Sequence, residues 1–180
     1  MSETHPILTT STASKVSYSL LWVGIVLLLF DQLTKGLIYT YLPVIDSSSY
    51  WYPYGGIGVF HNFGGIEFSI NHMTNSGAAW GVFGNYQLPL IILRIGLIVG
   101  LCLYLLYFNR HSSWKLPLVL IITGALGNVL DFFIYGHVID MLHFVIWGYD
   151  FPVFNLADSA ISIGIGSLFF LSWFMPNAEN

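Results

Sequence analysis

Four long apolar runs dominate this sequence, at 17–42, 88–108, 118–135 and 154–174. Each comes near the ~20 residues that a helix needs to cross the ~30 Å hydrocarbon core of a bilayer. No water reaches the backbone at that depth, so every N–H and C=O must be satisfied within its own segment, and such runs must be helices. A barrel would need many alternating segments of about ten residues, and the sequence has none. Composition agrees: 56% of the residues are hydrophobic and only 8% are charged, against about 25% charged in a typical soluble domain. The expected fold is an all-α polytopic membrane protein. Four transmembrane helices form one unit over 16–174, with a flexible cytoplasmic tail expected at 1–15 and a cytoplasmic tail at 175–180. The first run continues through Asp31 and Lys35 without a small-residue cleavage site, so it reads as a retained span and not as a signal peptide.

The few basic residues set the orientation. Lys15 precedes the first run, and Arg110 and Lys115 lie in the short loop between the second and third. Excess Lys and Arg mark cytoplasmic loops, which places this loop and both termini inside and the segments 43–87 and 136–153 outside. The first outer segment contains "YWYPYGGIGVFHNFGGIEFSINHM", with β-branched and aromatic residues between glycine pairs. It predicts a small extracytoplasmic β-rich cradle between helices 1 and 2. The segment 136–153 reads as a connection. There is no basic tract, which argues against a nucleic-acid partner. The single cysteine, Cys102, excludes a disulfide framework and a cysteine-based metal site within one chain.

Ionisable groups within spans cost a few kcal/mol and need a reason. Asp31 and Lys35 of "DQLTK" are four apart and share a helix face, where they pair. Arg94 sits one to two turns into the second span, placed to snorkel or to hold a carboxylate or headgroup. Asn128 and Asp131 are three apart near the outer end of the third span, as are Asn155 and Asp158 near the outer start of the fourth. Asp140 lies between these spans, so Asp140 and Asp158 can meet at the outer interface. Two adjacent carboxylates share a proton. The ionised one activates water and the protonated one donates to a carbonyl, which is peptide hydrolysis without metal or covalent intermediate. Structural aspartates, or a channel or transporter with an aspartate ion or proton path, are the alternatives. His137 and His143 flank Asp140 but form a weak metal pattern. Gly164 and Gly166 of "SIGIGS" read as helix-packing residues.

Five blocks then occur in order: "DQLTK" at 31–35, "NSGAAWG" at 75–81, "GNVLD" at 127–131, "VID" at 138–140 and "FPVFNLADSA" at 151–160. Over about 20–174 the chain resembles the lipoprotein signal peptidase (signal peptidase II) family of bacterial membrane aspartyl proteases. The resemblance implies Asp140 and Asp158 as the catalytic dyad. It implies supporting roles for Asp31, Lys35, Asn75, Arg94, Asn128, Asp131 and Asn155, and neither metal nor cofactor. It further implies cleavage of diacylglyceryl prolipoproteins on the amino side of the lipidated cysteine. The setting it implies is the bacterial cytoplasmic (inner) membrane, among phospholipids, with the site near the outer face. Globomycin, a cyclic peptide, is an inhibitor of the family. A single chain supplies the whole constellation, so a monomer is expected. Two departures stand out. Phe132 follows Asp131 where the family usually has arginine, and the outer segment 43–74 is longer than usual.

Overall fold

A computed structural model of the chain describes residues 16–45, 49–76 and 87–174. Asp46, Lys15, both tails and positions 77–81 of the second block lie outside the described residues. Helices α1 (Tyr18–Tyr41), α2 (Gln87–Leu103), α3 (Lys115–Tyr135) and α4 (Leu156–Phe174) are each long and apolar enough to cross a membrane, α2 continuing through a π-helical turn at Tyr104–Phe108. The central helix is α3. Half of its most apolar window is buried, against 17–22% in the others, and α1, α2 and α4 all pack on it. Leu29, Leu97, Phe133 and Phe169 point outward, which costs nothing when the surroundings are lipid.

With no hydrophobic drive between helices in lipid, close approach depends on small residues. A Cβ on Gly124 would stand 2.4 Å from the Ala157 carbonyl oxygen, and one on Gly164 would stand 2.7 Å from that of Pro117. These two glycines let α3 and α4 touch backbone to backbone. Gly166 has nothing within 4 Å, so of the two glycines in "SIGIGS" only Gly164 serves packing.

The sheet has four strands in the order β1 (Ile57–Phe63), β2 (Ile66–Asn75), β3 (Val138–Ile146) and β4 (Tyr149–Asp150), all antiparallel. Half of it therefore comes from 136–153, expected only as a connection. Val138, Ile139, Val145 and Ile146 favour a pleated, half-buried surface, but β3 finds its main partner, β2, far away in sequence. Both hairpins turn on two residues with positive φ, Gly64–Gly65 and Trp147–Gly148, whose backbone twist matches that of the flanking strands. The β2–β3 ladder runs from Ile66↔Ile146 to Asn75↔Val138, with an irregularity between Ile70 and Met73 that gives β2 one extra residue. This bulge adjoins the Met73↔Asp140 pair and re-aims the chain beside the site. Buried Asn71, in the bulge, donates to the Pro53 and Tyr54 carbonyls at 3.1 Å each and closes the 50–56 loop over the sheet. Ile139 and Met141 of β3 pack on Ile38 of α1 and fix the sheet to the helices.

Candidate active site

The site is organised around the first turn of α4. A helix start leaves backbone N–H groups without partners. Asn155 precedes the helix and accepts the Asp158 N–H at 2.8 Å, while Asp158 Oδ2 accepts the Asn155 N–H at 3.3 Å. This is a reciprocal capping box made with Asn and Asp. Asp31 Oδ1, from α1, takes the Ala157 N–H at 2.9 Å. Three polar side chains thus fix where α4 begins and where Asp158 points.

Lys35 is fully buried and spends its three hydrogens on three acceptors: Asp31 Oδ2 at 2.8 Å, Asp131 Oδ2 at 2.7 Å and Asn128 Oδ1 at 3.1 Å. An ammonium has three donors and no acceptor, so nothing remains for substrate. Asp131 also accepts Gln32 Nε2 at 2.8 Å and the Ile139 N–H at 3.4 Å. Gln32 lies within "DQLTK", yet it was not singled out because an uncharged residue in a span raises no alarm. Gly127 was also missed. A Cβ there would stand 2.7 Å from Asp31 Oδ2, so the carboxylate needs that space.

Asp140 comes from β3 and is 3% exposed. Its Oδ1 accepts Asn155 Nδ2 at 2.8 Å and its Oδ2 accepts Asn75 Nδ2 at 3.1 Å. Asp158 Oδ1 accepts Asn128 Nδ2 at 2.7 Å. Asn155 therefore holds both carboxylates, one through its amide and one through its cap, and it also donates to Asn128 Oδ1 at 3.1 Å. Burial, and then the charge of Asp158, push the Asp140 carboxyl up to about 7, against the opposing pull of Asn75, Asn155 and Lys35. A carboxyl in this state passes between acid and base near neutral pH.

A cavity of about 530 Å³ opens in front of Asp140, with Asn75, Tyr54, His143, Asp150 and Phe151 among its walls. His143 is 6% exposed and sits with Nε2 2.7 Å from Asp150 Oδ1. Tyr54 donates its hydroxyl to Glu67 Oε2 at 2.6 Å. Burial first, and then Glu67, push that phenol up to about 12. His137, expected with His143 as a flank of Asp140, is held below its ordinary value by burial and by His72. Among the described residues no cluster of three or more His, Cys, Asp or Glu is arranged to hold a metal ion. Eight of the nine residues singled out from the sequence thus converge on one network. Arg94, the ninth, is half-buried on α2.

Residues 23–174 match the family model described as Signal peptidase (SPase) II. The chain belongs to the signal peptidase II family. Related proteins include the lipoprotein signal peptidase of Chlamydia trachomatis serovar D, 45% identical over 114 residues, which cover 60% of this chain and 68% of that one. Another is the lipoprotein signal peptidase of Burkholderia ambifaria, 38% identical over 149 residues, covering 79% and 81%. A bacterial membrane enzyme solved by the in meso method superposes with a TM-score of 0.76 at 25% identity, covering 94% of this chain and 96% of its own. The fold of four spanning helices with a small β-sheet is therefore that of the family. This signal peptidase II is a multi-pass aspartyl endopeptidase of the bacterial inner membrane.

Proposed function

We propose that Asp140 and Asp158 are the catalytic dyad with which this signal peptidase processes lipoprotein precursors, cutting on the amino side of a diacylglyceryl-modified cysteine. One observation carries the assignment: Asn155 binds both carboxylates at once, at the level where the sheet meets the helix ends. Burial and the neighbouring Asp158 charge raise the Asp140 carboxyl to about 7, so it can carry a proton near neutral pH. The start of α4, whose dipole favours negative charge, makes Asp158 the base. In the first step Asp158 takes a proton from water as the water oxygen bonds to the scissile carbonyl carbon, and Asp140 gives its proton to the carbonyl oxygen. In the second, the C–N bond breaks as Asp158 passes its proton to the leaving nitrogen. Asp140 then recovers a proton from a hydroxyl as the new carboxyl forms, and both groups return to their starting states.

Asn75 and Asn128 hold the two carboxylates apart in these roles, while Lys35, Asp31, Asp131 and Asn155 position them. Arg94 is assigned to a lipid headgroup or carboxylate at the outer interface. Residues 16–174 form the membrane protease unit, with 1–15 and 175–180 as cytoplasmic tails and the dyad toward the outer face, in keeping with the basic loop at Arg110 and Lys115. The protein acts as a monomer among membrane phospholipids, and globomycin competes with substrate for the cavity at Asp140. Cleavage of a diacylglyceryl prolipoprotein by purified protein in detergent tests the assignment. Asp140→Asn and Asp158→Asn should each abolish turnover while the protein stays folded, and near-normal activity in either would remove that residue from the dyad.

A further inference from the structure

The edge of β2 that faces away from β3 opens onto the same cavity as Asp140. β1 pairs with β2 only from Ile66 to Ile70. Farther along that edge, Ile45 donates its N–H to the His72 carbonyl at 2.8 Å. Thr74 comes two residues later. On its other side it stands opposite Ile139 of β3. Ile139 spends both backbone groups elsewhere: its N–H goes to Asp131 Oδ2 at 3.4 Å, and its C=O accepts Asn155 Nδ2 at 3.3 Å. The two residues therefore form a non-hydrogen-bonded pair, and the N–H and C=O of Thr74 point away from β3. The His72 carbonyl agrees, since residues two apart along a strand direct their backbone groups to the same side. Among the described residues, no turn or loop group bonds to the Thr74 N–H or C=O. Thr74 is exposed, and with Ile45, Asn75, Ser76 and Asp140 it lines the cavity of about 530 Å³.

We infer that the precursor docks as an added strand on this edge of β2, with one of its residues exchanging both backbone hydrogen bonds with Thr74. The inference rests on the dyad proposed above, which fixes what chain passes Asp140. An open strand edge is a ready template for an extended peptide, and Ile45 already holds the neighbouring place on it. A strand added here lies ~4.8 Å from β2 and ~10 Å from β3, which carries Asp140. At ~3.3 Å per residue, the residue paired with Thr74 stands about three residues from the scissile bond. Main-chain bonds supply affinity and ask nothing of side chains, so precursors of unlike sequence around the cut can share this contact. Thr74 is thus a substrate-binding residue that acts through its backbone.

Amide hydrogen exchange at Thr74, read by NMR of threonine-labelled protein in detergent, tests the docking directly. Asp140→Asn is the host, because it should hold a diacylglyceryl precursor without cutting it. The Thr74 amide should exchange freely without precursor and slow at least about tenfold when the precursor is bound. Steady-state cleavage by the wild type, on precursors N-methylated at single amides, locates the paired residue. One position, about three residues from the cut, should raise KM about threefold to tenfold, the scale of a lost hydrogen bond, with kcat nearly unchanged. Thr74→Pro removes the N–H at an edge position that gives β3 no bond. It should raise KM similarly, and the same N-methyl group should then add little. A Thr74 amide already protected without precursor overturns the inference, because the chain itself then fills the edge. So does an amide whose exchange the bound precursor leaves unchanged, or an N-methyl series in which no position raises KM. Should Thr74→Pro fail to fold, the exchange and the wild-type series still decide. If Asp140→Asn and Asp158→Asn both keep cutting, the dyad falls and this inference with it. Dyad-dependent cutting without protection at Thr74 removes this inference alone.

Discussion

Asp140 should make the enzyme less stable as pH rises, and Asp140→Asn should remove that dependence. In the folded protein its carboxyl is raised from 3.8 to about 7, while in the unfolded chain it titrates near 3.9. Between these values the native state holds a proton that the unfolded state has lost, so stability falls as pH rises through this window and levels off above it. At ~1.4 kcal/mol per tenfold change, the full span amounts to about 4 kcal/mol. The assay is equilibrium unfolding in mild detergent followed by tryptophan fluorescence, run in parallel on wild type and Asp140→Asn from about pH 4 to about pH 8. Groups not coupled to Asp140 titrate alike in both proteins and cancel in the difference, whereas Asp158 is coupled to it and is separated by running Asp158→Asn alongside. The difference should swing by up to about 4 kcal/mol in favour of Asp140→Asn as pH rises. A flat difference curve would refute the reasoning, because it would mean that Asp140 ionises freely where the fold buries it. Burial is the first cause of the shift and Asp158 the second. Asp158→Asn should therefore move the midpoint down without abolishing it.

Two further substitutions probe the scaffold behind the dyad. Lys35→Met leaves the buried carboxylates of Asp31 and Asp131 without their shared cation, and should cost about 3–5 kcal/mol in the same unfolding assay. Adding Asp131→Asn should recover part of that loss. Gly127→Ala forces a methyl to within 2.7 Å of Asp31 Oδ2 and should cost about 1–3 kcal/mol. It should also reduce kcat, because the same carboxylate holds the Ala157 N–H at the start of α4.

The membrane helices were legible because length and apolarity decide them with little help from context. The polar residues at their ends were legible because a charge in a span has to be explained, and Asp31, Lys35, Asp131 and Asp158 all led to the network. The sheet was half legible. β1 and β2 are neighbours joined by a two-glycine turn, whereas β3 pairs with a strand more than 60 positions away, and no local pattern announces such a partner. Gln32 and Gly127 escaped for another reason: one is uncharged and the other has no side chain, so their roles appear only when Asp131 and Asp31 are seen against them. The pairing of His143 with Asp150 depends on the β3–β4 hairpin and could not be read from spacing.

Phe132, where the family usually has arginine, leaves the bonds around Asp131 complete. The Asp131 carboxylate meets Lys35 of α1 at 2.7 Å, Gln32 at 2.8 Å and the Ile139 N–H at 3.4 Å. Asp131 is fully buried with these donors in place, and a fourth strong donor would have few lone pairs left to meet. The buried cluster of Asp31, Lys35 and Asp131 is a poor source of net stability, since desolvation offsets most of the attraction. Its effect is on position. Lys35 holds Asn128, Asn128 holds Asp158, and Asp31 holds the first turn of α4. Asp131 ties the C-terminal end of α3 to β3 one residue before Asp140. The carboxylates of Asp140 and Asp158 are thereby each placed by a short bonded path from the same lysine, and the Phe132 side chain takes no part in either path.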